Sequence, residues 1–342
     1  MNPDLRALFD AGPGFLNTAT VGIPPSVAVD SMAAAMDDWR RGVVRPTDFD
    51  PLVDRGRAAW ARMIGVDVST VAAGLAVSPF VGLIAGSLSD GARVLTADGD
   101  FTSVLFPMLA QTSRNVTVDS VPLEELADAD GPVDLIAVSV VQSADGRVAD
   151  LDQLLAAKSA TGARLLVDVT QASGWLPLSC REVDFVVCAA YKWLLCPRGV
   201  AFLAARPEHW DSLRPDDAGW YAGDDPWTSI YGAPLRLAPD ARRFNVSPAW
   251  LCWSAAAPTL ELLASLDPGE VHAHDVGLAD LFLAELGRPS QGSAIVTVDS
   301  PDAAERLAAA GIQTAVRAGR VRASFHLYNT ADDARAAAAA LR

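Results

Sequence analysis

Two apolar runs in this 342-residue sequence end in side chains that suit one another chemically. The first, Asp184 to Ala190, leads into Tyr191-Lys192-Trp193. Pro197 and Gly199 then turn the chain into a further apolar run, Val200 to Ala204. The second, Ala163 to Val167, ends at Asp168, 24 residues before the lysine, and continues as Asp168-Val-Thr-Gln171. A lysine that closes a buried strand is drawn partly out of water. Desolvation lowers its pKa and frees the neutral amine as a nucleophile, which is what a Schiff base with a carbonyl compound requires. A carboxylate at a neighbouring strand end completes a pair suited to pyridoxal phosphate. The carboxylate keeps the pyridinium nitrogen protonated, so that the ring accepts electrons, and the lysine carries the aldehyde. A lysine by itself has a plainer reading, a side chain that snorkels to the surface.

The combination of Asp168-x-x-Gln171, Tyr191-Lys192-Trp193 and the Pro197-x-Gly199 turn resembles the core of the class V aminotransferases. These are fold-type I pyridoxal phosphate enzymes, a group that includes cysteine desulfurases, isopenicillin N epimerases and kynureninases. The resemblance runs from Phe15 to the C-terminus. It implies an α/β fold: a mainly parallel sheet flanked by helices, with a smaller α+β C-terminal domain. The expected division is an N-terminal segment, 1–25, that contributes to the small domain and the active-site entrance, a large cofactor domain, 26–247, and a small domain, 248–342.

The resemblance also implies roles. Gln171 hydrogen-bonds the ring oxygen. Phe101 stacks on the pyridine, as in kynureninase-like members. Ser78 and Pro79 hold the phosphate, and Tyr191 reaches it where many relatives carry histidine. Gln142, or Ser143 beside it, stands near an asparagine of the relatives, close to the ring hydroxyl. Ala189 departs from the serine or threonine common three residues before the lysine. Trp220 and Trp227, in an aromatic and glycine-rich stretch, are candidates to cross a homodimer interface to the neighbour's phosphate. Arg322, in Arg322-Ala-Ser324, places a guanidinium on the substrate carboxylate, a bidentate pairing suited to an amino or keto acid; Arg317 and Arg320 lie close by in sequence. Asn17 lies in a Leu-Asn-x-Ala-x-x-Gly segment near the substrate entrance.

The elements that must position these residues are legible as periodicity. Helices are expected over Val27–Arg41, Pro51–Ile64 and Asp150–Thr161, and strands over Arg93–Thr96 and Asp134–Val141. Ser78 reads as an N-cap with Pro79 at the first helical position, and a helix N-terminus with free N–H groups suits a phosphate. Strands and helices alternating over short links argue for a parallel sheet covered on both faces. Ligands of such sheets gather at the carboxyl ends of the strands, where Ser78, Phe101, Gln142, Asp168, Gln171 and Lys192 all fall. A long helix over Pro248–Leu266 leads to helix 275–286, strand 293–298, helix 301–310, strand 320–325 and helix 331–341.

Composition narrows the function classes. The net charge of −15 argues against nucleic acid or an anionic membrane as partner. No apolar run reaches the length of a membrane-spanning helix, and the start of the chain does not read as a secretory signal. Cys180, Cys188, Cys196 and Cys252 lack metal-site spacing and suit a reducing, cytoplasmic setting. No cysteine follows Cys252, which disfavours a desulfurase that carries sulfur on a C-terminal loop. The expected function is an amino-acid enzyme, foremost an aminotransferase working through Lys192. A lyase of β-elimination or kynureninase type and an epimerase are alternatives, and a non-catalytic binding protein of the same fold is a further one.

Overall fold

A computed structural model describes residues 3–128 and 131–342. The helices are α1 (Pro3–Arg6), α2 (Ser26–Arg41), α3 (Asp50–Ile64), α4 (Val77–Gly86), α5 (Thr102–Leu109), α6 (Leu151–Thr161), α7 (Trp250–Ala264), α8 (Pro268–Glu285), α9 (Ala303–Ala309) and α10 (Ala331–Leu341). The strands are β1 (Val71–Gly74), β2 (Arg93–Ala97), β3 (Thr117–Val121), β4 (Leu135–Ser139), β5 (Arg164–Asp168), β6 (Phe185–Ala189), β7 (Ala201–Ala205), β8 (Ile295–Val298), β9 (Ala315–Arg317) and β10 (Arg320–Ser324).

Seven strands form one sheet in the order β1-β7-β6-β5-β4-β2-β3. The segment from β3 to β6 is parallel, and β7 runs antiparallel to both β6 and β1. Strands β4, β6 and β7 are buried at every position, as expected when helices cover both faces. Successive residues serve opposite layers. Ile136 and Val138 join the core under α3 and α6, while Leu135 and Ala137 join the core under α4 and α5. That alternation is the period-two geometry of a strand. Because β1, β2, β4, β5 and β6 all point the same way, their C-terminal ends share one edge.

A second sheet, β8-β10-β9, is antiparallel. Its core takes in α8, α9, α10 and also Leu16 from the start of the chain. Phe15 bridges to Gln313 and Asn17 to Ser324, so the N-terminal segment lies along this sheet. Helix α7 turns the other way: Trp253 meets Phe202 of β7 edge-on at 5.7 Å.

Several expectations are corrected here. Helix α8 begins at Pro268, not at 275, because Asp267 caps it by accepting from the Glu270 amide at 2.9 Å and proline suits the first position. Ser78 is not an N-cap. The extended residue before α4 is Ala76, which makes Val77 the first helical residue, Ser78 the second and Pro79 the third. Strands β1, β3 and β9 are not among the expected strands: β3 carries no buried residue at any of its positions, and β9 spans only 3 residues.

Candidate active site

The C-terminal ends of the parallel strands enclose a cavity of about 700 Å³, open mouth included. Lys192 lines it and is 5% exposed. Its Nζ lies 5.2 Å from the centroid of the Phe101 ring and 5.7 Å from that of Tyr191. Burial is the main cause that lowers its pKa to about 8; Asp168 opposes the shift, and Arg322 and Arg317 add to it. A neutral amine is therefore accessible near physiological pH, where an exposed lysine would be almost wholly charged.

Asp168 lines the same cavity and is also buried. Burial raises its pKa to about 6, against the Thr170 hydrogen bonds and the charge of Lys192. Its Oδ1 accepts from the Thr170 amide at 2.8 Å, and the Thr170 hydroxyl in turn accepts from the Ala189 amide at 2.9 Å. This side-chain brace ties the end of β5 to the end of β6, fixing aspartate and lysine relative to each other. Asp100 does the same between β2 and β4. It accepts from the Ser139 amide and hydroxyl at 2.7 and 2.5 Å, and from the Phe101 amide at 2.6 Å. The Phe101 backbone is thereby pinned while its ring stays 43% exposed along the cavity.

Ala76, Val77 and Ser78 also line the cavity. No side chain caps the N-terminus of α4, so its first amides and the Ser78 hydroxyl are available to an anion. Arg198 also lines the cavity, with its Cζ 4.6 Å from the centroid of the Tyr191 ring, within range of a cation–π contact. An uncapped helix start with an arginine, an aromatic wall, a buried carboxylate and a partly neutral lysine form a set that fits pyridoxal phosphate.

Gln171 also lines the cavity, and its amide is held by several partners. The Trp193 indole, a donor only, gives its hydrogen to Oε1 at 2.8 Å, so Nε2 must face Ala19 O at 2.9 Å and Ser143 Oγ at 3.1 Å. Ser143 lines the cavity as well and receives Arg322 Nη1 at 3.2 Å; Arg322 Nη2 donates to Thr20 Oγ1 at 2.8 Å. Arg322 is not a surface arginine on an edge strand. It is 1% exposed, on the central strand of the small sheet. Burial pushes its pKa down to about 10, which leaves it charged at neutral pH.

Of the residues singled out in the sequence, the cavity gathers Ser78, Phe101, Asp168, Gln171, Tyr191 and Lys192. Arg322 reaches it through Ser143. Four others do not line it. Gln142 is buried, with Nε2 turned back to Ser139 O at 3.0 Å, and Ser143 occupies the lining position instead. Pro79 faces a neighbouring groove with Phe80 and Phe244. Trp220 packs 5.0 Å from Trp227 and 5.1 Å from Tyr221, in a cluster fastened to Asp50. Asn17 sits against β10 with Oδ1 buried and without a partner among the described residues. Thr170 and Arg198 line the cavity as well, and their sequence signals are an Asp-x-Thr turn at a strand end and a cation inside the Pro-x-Gly turn.

The family model for class V aminotransferases matches residues 82–312. The chain is 29% identical over 330 residues to the uncharacterized aminotransferase YcbU of Bacillus subtilis, covering 90% of this chain and 85% of that one. It is 27% identical over 332 residues to isopenicillin N epimerase of Streptomyces clavuligerus, covering 87% and 80%. The fold is similar to that of the cystine C-S lyase C-DES in complex with cysteine persulfide, with a TM-score of 0.87 at 22% identity over 97% of each chain. A family match across most of the chain, on a fold whose strand ends gather the expected lysine and aspartate, makes this protein a member of the class V aminotransferase family of pyridoxal phosphate enzymes.

Proposed function

We propose that the protein transfers the amino group of a carboxylate-bearing amino acid, with Lys192 as cofactor anchor and proton carrier, Asp168 on the pyridine nitrogen and Arg322 holding the substrate carboxylate. The observation that carries this reading is the state of Lys192: buried, drawn toward neutrality, over an aromatic ring and in one cavity with a buried aspartate. Bound pyridoxal phosphate supplies an electron sink that stabilises a carbanion at the substrate Cα. The chain supplies the rest. Asp168, ionised, holds a proton on the ring nitrogen. Phe101 and Ala189 border the ring space, and Ser78, Arg198 and the α4 amides take the phosphate. Arg322, already braced by Ser143 and Thr20, orients the carboxylate so that Cα faces Lys192. The Lys192 amine would take the Cα proton onto Nζ and hold it there for return on the cofactor side of the same bond system.

The cysteines speak against sulfur storage on the enzyme. Burial raises the Cys180 thiol to about 12 and pushes Cys188, Cys196 and Cys252 up as well. None of the four lines the cavity, and a thiol held protonated is a poor nucleophile. We also assign the protein to the cytoplasm as a homodimer. Supporting this, all four cysteines are free, Leu75 and Phe101 are exposed where they line the cavity, and Phe106 and Leu109 are exposed on α5.

The test is to load purified protein with pyridoxal phosphate, record its visible spectrum and titrate it with single amino acids. Conversion of the cofactor band by one donor, with release of its keto acid, is the expected result. Pyruvate formed from a β-substituted amino acid while the band persists would replace transfer by elimination. The absence of any cofactor band would overturn the reading.

A further inference from the structure

The loop that carries Lys192 is gripped from the small sheet by a buried histidine. His326 is 0% exposed. Its Nε2 lies 3.0 Å from the carbonyl oxygen of Trp193, and its Nδ1 lies 2.7 Å from Asp275 Oδ2. A carbonyl only accepts, so Nε2 carries a proton and donates it. Asp275, equally buried, takes His274 Nδ1 on its other oxygen at 2.8 Å and orients the His326 ring. Gly174, at φ +116°, also lies against this carbonyl: a Cβ there would come within 2.6 Å of its oxygen. The carbonyl thus meets both a backbone that leaves no room for a side chain and a ring that donates to it.

His326 also continues a pattern. Strand β10 and the residues after it place alternate side chains on one face. Arg322 reaches Thr20 and Ser143. Ser324 Oγ accepts from the Ala19 amide at 3.0 Å. His326 reaches the lysine loop. One extended segment therefore sets three distances together: to the proposed carboxylate site, to the N-terminal segment, and to the residue after Lys192.

We propose that His326, oriented by Asp275, is a positioning residue that fixes the Lys192 loop relative to Arg322 through its hydrogen bond to Trp193 O. The catalytic part of this statement rests on the function proposed above. The contact with the loop does not. Displacements of about 1 Å between reacting groups can cost on the order of 100-fold in rate, so the expected cost of losing this bond is about 10- to 100-fold in kcat.

The experiment uses the full chain and three variants: His326→Phe, Asp275→Asn and the double variant His326→Leu/Asp275→Leu. The double variant removes the buried charge with its partner, and so keeps the test open if His326→Phe does not fold. Two readouts are taken. Amide hydrogen exchange of the cofactor-free protein reports the Lys192 loop directly. It should quicken by about 10-fold or more in residues 190–196 for the His326 variants, with β5 unchanged. Steady-state kinetics of the loaded protein should show kcat reduced, KM for the amino acid changed by less than about 3-fold, and the cofactor still bound. Asp275→Asn offers an amide hydrogen to Nδ1 and leaves the Nε2 donor intact, so it should keep kcat within about 3-fold. Unchanged exchange at 190–196 in the His326 variants overturns the proposal. So does an Asp275→Asn variant as impaired as His326→Phe. If the parent protein takes up no pyridoxal phosphate, the functional reading fails, while the exchange data still decide whether His326 holds the loop.

Discussion

The Trp193 indole donates to Gln171 Oε1 at 2.8 Å, and this bond decides which way the Gln171 amide faces. Its Nε2 is turned to Ala19 O and Ser143 Oγ, linking the residue after Lys192 to the N-terminal segment and, through Ser143, to Arg322. Gln171→Glu keeps the acceptor for Trp193 but sets a carboxylate oxygen against the Ala19 carbonyl in a buried position. The loss of a satisfied buried donor costs about 1–3 kcal/mol. Urea denaturation of the variant should show a lower midpoint by a corresponding amount; an unchanged midpoint would mean that the amide orientation is unimportant to the fold.

On the proposed function, the lowered pKa of Lys192 should set the pH at which the protein captures its cofactor. The attacking species is the neutral amine, which for a group at about 8 is half populated at that pH. Capture of pyridoxal phosphate by the cofactor-free protein should quicken by about 10-fold per pH unit below 8 and level off above it. Stopped-flow absorbance measures this directly. A rate still climbing toward the ordinary lysine value of 10.5 would show that burial does not tune the amine. Lys192→Ala should form no covalent cofactor band at any pH.

Asp168 has the opposite sign. Its pKa rises on folding from 3.8 to about 6, so between these values the folded state binds more protons than the unfolded one. Stability from this group therefore falls as pH rises through about 4 to 6, and its cost is complete above 6. Asp168→Asn removes that dependence. The cofactor-free variant should gain stability over the parent by an amount on the order of 3 kcal/mol between pH 4 and 6.5, while binding cofactor more weakly. Chemical denaturation at the two pH values gives the difference, and an equal gap between variant and parent at both would exclude the buried carboxyl as its source.

The parts of this site that the sequence discloses are those fixed within one strand and its following turn. Asp168 and Lys192 end buried runs, and the apolar composition of those runs places both at the same edge of a sheet. Phe101 and Ser78 follow by the same logic. What stays hidden depends on pairing between distant segments. Gln142 and Ser143 are adjacent, and only the turn after β4 decides that Ser143 faces the cavity. Arg322 looks like one of three arginines on a short amphipathic stretch. Its burial follows from β10 lying between β8 and β9, and β9, only three residues long, carries no periodic signal. Trp220 stands in an aromatic cluster whose Tyr221 and Trp227 are held by the carboxylate of Asp50, 170 residues before Trp220, a pairing no local pattern announces.

Arg322 makes a demanding test because it is buried and branched. Its two terminal nitrogens hold Ser143 and Thr20 at once, while Nε has no partner among the described residues. Lysine retains the charge but cannot form that fork. Arg322→Lys should raise KM for the amino acid by about 10-fold or more and leave the cofactor spectrum unaltered. Equal KM values for variant and parent would remove Arg322 from the substrate site.

Gly22 shows how closely the N-terminal segment is fitted to the lysine loop. Its amide donates to Tyr191 O at 3.0 Å, and any Cβ built on it would fall on the Lys192 carbonyl oxygen and the Leu195 side chain. The need for glycine here is one of space, not of backbone conformation, because two stretches of main chain cross at van der Waals distance. Gly22→Ala must therefore push residues 15–25 away from the loop or displace the loop itself. Overpacking of this kind costs about 1–3 kcal/mol. If the segment yields, the thermal midpoint falls and Asn17 and Thr20 move with it, which should raise KM for the amino acid. If the loop yields, Lys192 shifts and cofactor capture slows. A variant that matches the parent in midpoint, KM and capture rate would show that the crossing tolerates a methyl group, and that the glycine is not required to seat Lys192.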